Sequence, residues 1–72
     1  MEELRAPVKF GKIVREMRLK RNWTQDYLAA ELGVDAAFIS RIERGMKNPS
    51  LETVLRLASA LNVKLRFGDK TL

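Results

Sequence analysis

Gly33 is the residue that most constrains this chain. It stands between two short stretches, Gln25 to Leu32 and Ala36 to Arg44, that both carry helical spacing. Leu28 and Leu32 share one face of the first, and Ile39 and Ile42 share one face of the second. Each is opened by a natural N-cap, Thr24 and Asp35, whose side-chain oxygen can accept from an otherwise unpaired helix N–H. Glycine takes a left-handed backbone at little cost, so Gly33 ends the first helix and turns the chain at once. Two short helices joined so tightly must cross steeply. Ala29, small and mid-way along the first, lets the second pass close. Leu28, Leu32, Val34, Ile39 and Ile42 then fix the crossing against the rest of the body, and the outer face of 36–44 is left to project.

The flanking segments supply that body. Pro7 suits a first helical turn, and Phe10, Ile13, Val14 and Met17 fall at spacings of three and four, predicting a helix over 7–21. Asn22 and Trp23 break it, and Trp23 is expected to plug the corner. Ser50 caps a fourth helix, 51–61, with Glu52 in its positive first turn and Leu51, Val54, Leu55, Ala58 and Leu61 as its apolar stripe. Asn62 closes it. Val63, Leu65 and Phe67 then alternate with Lys64 and Arg66, which predicts a strand ended by Gly68 and Asp69. No other segment reads as a strand. The expected fold is all-α: a compact four-helix domain with a short C-terminal β-strand. Residues 1–6 form a polar lead, 7–62 the domain, with its central pair at 25–44, and 63–72 the tail.

Composition narrows the function. Seventy-two residues allow one small domain. Such a chain buries only about 60% of the surface its unfolded form exposes. With no cysteine and no histidine, it lacks a disulfide, the usual zinc ligands, the thiol nucleophile and the favoured general base. Thr24, Ser40, Ser50, Thr53, Ser59 and Thr71 have no histidine to activate them, so no enzyme, metal site or cofactor is expected. No apolar run approaches a membrane span, and the N-terminal residues lack the layout of a signal peptide, so a cytoplasmic protein is expected. Fourteen Lys and Arg against nine Asp and Glu give a net charge of +5, the balance of a polyanion binder.

The tight helix pair is the helix-turn-helix arrangement, whose second helix enters the DNA major groove. Four segments carry a closer likeness: Trp23 to Ala29, Leu32-Gly33-Val34, Ile39 to Gly45, and Asn48-Pro49-Ser50-Leu51-Glu52-Thr53. Over roughly residues 10–63 the chain resembles the lambda repressor and Cro family, the Xre-type helix-turn-helix regulators. The resemblance implies that Ala36, Ala37, Phe38, Ser40 and Arg41 face base edges. Arg41 can present a bidentate fork to guanine, whereas the two alanines can only pack, for instance on a thymine methyl. It implies phosphate contacts for Thr24 and Gln25 at the start of the first motif helix, and for Arg44, Lys47 and Asn48 after the second. Arg18 and Glu43 match a partly buried ion pair with a structural role.

The implied function is a sequence-specific double-stranded DNA-binding regulator, most simply an autorepressor, working as a homodimer on a pseudo-palindromic operator. No small-molecule ligand is expected. A controller of a restriction-modification operon is an alternative. So is an antitoxin that also binds a toxin protein, because the tail is similar to the one after the fourth helix in HipB-like antitoxins. A lone strand leaves its backbone groups unpaired. Val63, Leu65 and Phe67 are therefore expected to pair with their copies across a dimer.

Overall fold

The computed structural model describes residues 5–71. Four helices are followed by a small hairpin: α1, Ala6–Lys20; α2, Gln25–Leu32; α3, Ala36–Glu43; α4, Leu51–Leu61; β1, Arg66–Phe67; β2, Lys70–Thr71. Among the described residues no helix is long and apolar enough to cross a membrane.

Local chemistry sets the boundaries. Thr24, Asp35 and Ser50 accept at their side-chain oxygens from the backbone N–H of Tyr27, Phe38 and Thr53, at 3.0, 2.8 and 3.1 Å. Each satisfies a donor that the first helical turn leaves unpaired. α1 opens differently, on Arg5 with no side-chain cap and with Pro7 in its first turn. Gly33 takes φ 73°, and its N–H and that of Val34 close on the carbonyls of Ala30 and Ala29. The connection is thus only three residues long, Gly33, Val34 and Asp35, the last already the cap of α3. Asn62 ends α4 in the same left-handed region, φ 57°.

The core is Val14, Leu28, Ala29, Leu32, Ile39, Ile42, Leu57 and Leu61, with Phe10, Met17, Trp23, Val34, Phe38, Ala60 and Val63 packed around it. Two expectations about facing are corrected. Ile13 is 49% exposed, because α1 turns Gly11, Val14 and Arg18 inward instead. Gly11 is where α3 crosses: a Cβ there would overlap the Ile42 carbonyl oxygen and come within 2.8 Å of the Glu43 carbonyl oxygen. On α4 the inward residues are Leu57 and Leu61, while Leu51 is 66% and Leu55 40% exposed. Of the expected stripe, Leu61 is buried as read, and Val54 and Ala58 lie half-buried at the rim of the buried face. Leu57 sits at its centre.

The tail is also corrected. Val63, Lys64 and Leu65 have no regular structure, and the strand begins at Arg66. It pairs within its own chain, antiparallel, Arg66 with Thr71 and Phe67 with Lys70, around a turn at Gly68 and Asp69. The premise that the strand lacks an intrachain partner therefore fails. Gly68 supplies the left-handed residue that so short a turn needs, φ 61°. Val63 is half-buried, and its N–H donates to the Ala58 carbonyl at 2.8 Å. Leu65 is half-buried as well, with Lys64 and Arg66 exposed. The side chain of Phe67 lies outside the described residues, as do residues 1–4 of the polar lead.

Candidate nucleic-acid interface

The interface is set by how α3 is held. Ile39 and Ile42 are fully buried, and Glu43 is 7% exposed on the same inward face. The Glu43 carboxylate accepts from Arg18 Nε at 2.6 Å and from Arg18 Nη2 at 3.0 Å, a two-point grip between the last residue of α3 and the core face of α1. Arg18 Nη1 donates to the Trp23 carbonyl at 2.7 Å, which ties the corner before α2 to the same guanidinium. The Arg18 guanidinium is held above its ordinary value, first by the hydrogen bond to Glu43, against the opposing effect of burial. Two charges taken from water cost free energy that only such full pairing offsets. Among the described residues no buried side-chain polar atom lacks a partner.

With its inner face so fixed, α3 presents a defined outer stripe. Ala37, Arg41 and Arg44, at i, i+4 and i+7, are exposed. Of the other expected base-facing residues, Ala36 and Ser40 are half-buried on one flank, and Phe38 is half-buried on the opposite flank. The Arg41 guanidinium makes no hydrogen bond or ion pair among the described residues, while its backbone carbonyl accepts from the Met46 N–H at 3.0 Å. Arg44, read as the end of the helix, sits as the C-cap of α3 with Nε 3.4 Å from the Ser40 carbonyl oxygen. Lys47 and Asn48 are exposed, and the Lys47 ammonium lies 5.3 Å from the Phe38 ring centroid. No described carboxylate pairs with Arg41, Arg44 or Lys47, since Glu43 is spent on Arg18. The stripe and its following loop are thus an uncompensated positive surface.

At the start of α2 the picture is mixed. Thr24 is exposed, with its oxygen engaged as the cap and its O–H still available. Gln25 is half-buried and turned toward the ion pair: Nε2 donates to Glu43 Oε1 at 3.1 Å. Its amide therefore joins the first residue of α2 to the last of α3. Trp23 packs against the core and against Tyr27, ring centroids 4.8 Å apart, with the Arg21 guanidinium 5.9 Å over the Trp23 ring.

Two contributors escaped the sequence reading. Gly11 carries no apolar signal, although its spacing to Val14 and Arg18 is that of one helix face. Arg56 on α4 donates through Nη2 to the Leu32 carbonyl, the end of α2 beside the turn. Nothing in the spacing of α4 marks that reach. Among the described residues no group of three or more acidic side chains is placed to hold a metal ion.

A steep two-helix unit joined at Gly33, with its second helix gripped from behind and its outer face basic, is a helix-turn-helix domain. The family model described as helix-turn-helix matches residues 14–67, and the chain belongs to that family, of the Xre type. The control protein C.BamHI of Bacillus amyloliquefaciens is 43% identical over 56 residues, 76% of this chain and 69% of that protein. The crystal structure of the restriction-modification controller protein C.AhdI from Aeromonas hydrophila aligns with TM-score 0.75 at 40% identity, covering 79% of this chain and 83% of that one. HipB in a HipA-HipB-O2-O3 complex aligns with TM-score 0.76 at 25% identity, covering 93% of this chain and 94% of that one. Other relatives are longer: this chain spans 37% of the regulator SlrR of Bacillus subtilis.

Proposed function

We propose that this chain is a non-enzymatic, sequence-specific double-stranded DNA-binding transcriptional regulator that represses its own promoter. The observation that carries the reading is the exposed stripe Ala37, Arg41 and Arg44 on a helix whose inner face is fixed by the Arg18–Glu43 pair. Arg41 reads a guanine through its free fork. Ala36 and Ala37 give the groove an apolar contact suited to a thymine methyl. Thr24, Arg44, Lys47 and Asn48 contact phosphates. Gln25 does so with whatever hydrogen-bonding capacity its bond to Glu43 leaves over.

One such domain makes few base contacts, so the reading includes a homodimer on a pseudo-palindrome with half-sites about 34–36 Å apart. The exposed ridge of Leu51 and Leu55 on α4 gives an apolar surface for doubling. The hairpin of β1 and β2 leaves an open edge that a second copy extends. Selection of bound duplexes from a random pool tests the reading. The expected product is a two-fold symmetric site with a guanine under each Arg41. Recovery of no common sequence would contradict it.

Two regulatory settings fit. The likeness to C.BamHI and C.AhdI favours control of a restriction-modification operon. The likeness to HipB runs through the tail, covering 93% of this chain, and favours an antitoxin that also binds a toxin. The neighbouring gene separates them: a methyltransferase or nuclease for the first, a toxin kinase for the second.

A further inference from the structure

Phe38 does not lie on the outward stripe of α3. It stands on the helix flank, half-buried and packed against the core, so its ring is fixed by the body of the protein. The Lys47 ammonium sits 5.3 Å from the centroid of that ring, within the roughly 6 Å over which a cation is drawn to an aromatic face. Lys47 itself is exposed and has no carboxylate partner among the described residues. We propose that Phe38 is a positioning residue: its ring holds the Lys47 ammonium beside α3 for a backbone phosphate, and it reads no base. The inference rests on the DNA-binding reading above.

The physical reason is preorganisation. A lysine head on a four-carbon stem samples many rotamers, and a phosphate contact must order it. A ring already anchored in the core lowers that ordering cost before DNA arrives. The ammonium has three donors, so the side turned away from the ring stays open to a phosphate oxygen. A base contact would require the ring itself to reach into the groove, and its packing against the core holds it back.

A double-mutant cycle on the duplex selected by the wild-type chain tests this. Affinity, salt dependence and base preference are measured for wild type, Phe38→Leu, Lys47→Ala and the double variant, with thermal unfolding of each. Phe38→Tyr keeps the ring, and Phe38→Met replaces Phe38→Leu if the latter does not fold. Phe38→Leu is expected to weaken binding about two- to fivefold, the range of an exposed cation–ring contact. Base preference should stay unchanged. In the Lys47→Ala background the same substitution should have no effect, and Phe38→Tyr should bind as wild type does. Equal losses in both backgrounds, no loss at all, or an altered preference at one base pair would each overturn the role given to Phe38. A wild-type chain that selects no duplex would overturn the DNA-binding reading and this inference with it.

Discussion

Arg18 and Glu43, 25 residues apart in sequence, meet through two hydrogen bonds of 2.6 and 3.0 Å beside a core that holds eight buried apolar side chains among the described residues. The pair locks the end of the outward-facing helix to the first helix. It also recruits the Trp23 carbonyl and the Gln25 amide, so four segments of the chain converge on one carboxylate and one guanidinium.

Arg18→Ala is expected to leave the Glu43 carboxylate buried and uncompensated, at a cost of about 3–5 kcal/mol. For a domain this small that corresponds to a fall in Tm of more than ten degrees, given about 4–8 °C per kcal/mol. Gln25→Ala removes one hydrogen bond to a charged group and should cost about 1.5–3 kcal/mol or less. Thermal unfolding by circular dichroism checks both. An Arg18→Ala protein as stable as wild type would show that the pair does not hold α3.

Gly11→Ala should be as damaging as any single methyl addition in the chain. The new Cβ meets two backbone carbonyl oxygens, at Ile42 and Glu43, and backbone cannot move aside as a side-chain tip can. Overpacking of this kind costs about 1–3 kcal/mol or more. It outweighs the roughly 1 kcal/mol that alanine gains over glycine inside a helix. Chemical denaturation measures the balance, and a stabilised Gly11→Ala variant would mean that α1 and α3 are further apart than described.

Much of this was legible beforehand because it depends on local chemistry. Thr24, Asp35 and Ser50 are recognisable as caps from residue type and position alone, and Gly33 from the apolar spacing on either side of it. Facing was harder to read. α4 has apolar residues at Leu51, Val54, Leu55, Leu57, Ala58, Ala60 and Leu61, which is more than one arc of the helix. Which arc is buried depends on where α1 and α2 approach it, and Leu57 won. The hairpin was missed because strands of two residues are too short for a period to show. Gln25 illustrates a different limit: residue type marks it as polar, but only its neighbour across the fold turns its amide inward.

Arg44→Ala and Lys47→Ala should weaken binding to all duplexes alike. Each removes one phosphate contact, so the slope of log affinity against log salt should flatten by about 0.9 per contact. Titrations at several salt concentrations on selected and unrelated duplexes check this. Loss confined to the selected duplex would instead make that side chain a reader of sequence.

Assembly is tested on two separate surfaces. Leu55→Glu places a charge on the exposed α4 ridge, outside the buried core cluster, and should shift the protein toward monomer in sedimentation. Removing residues 66–72 deletes the hairpin but keeps Val63 on the core, and should loosen the dimer without unfolding the domain. A truncated chain as tightly dimeric as the full one would take the hairpin out of the interface.

If the outer stripe of α3 reads DNA, substitution of Arg41 reveals it most directly. Affinity for the selected duplex, and for each single base-pair change in it, is measured with wild type and Arg41→Ala. The expected result is a loss of about 1–3 kcal/mol on the selected duplex, with preference relaxed at one guanine per half-site and kept elsewhere. Unchanged affinity and unchanged preference at every position would contradict the account.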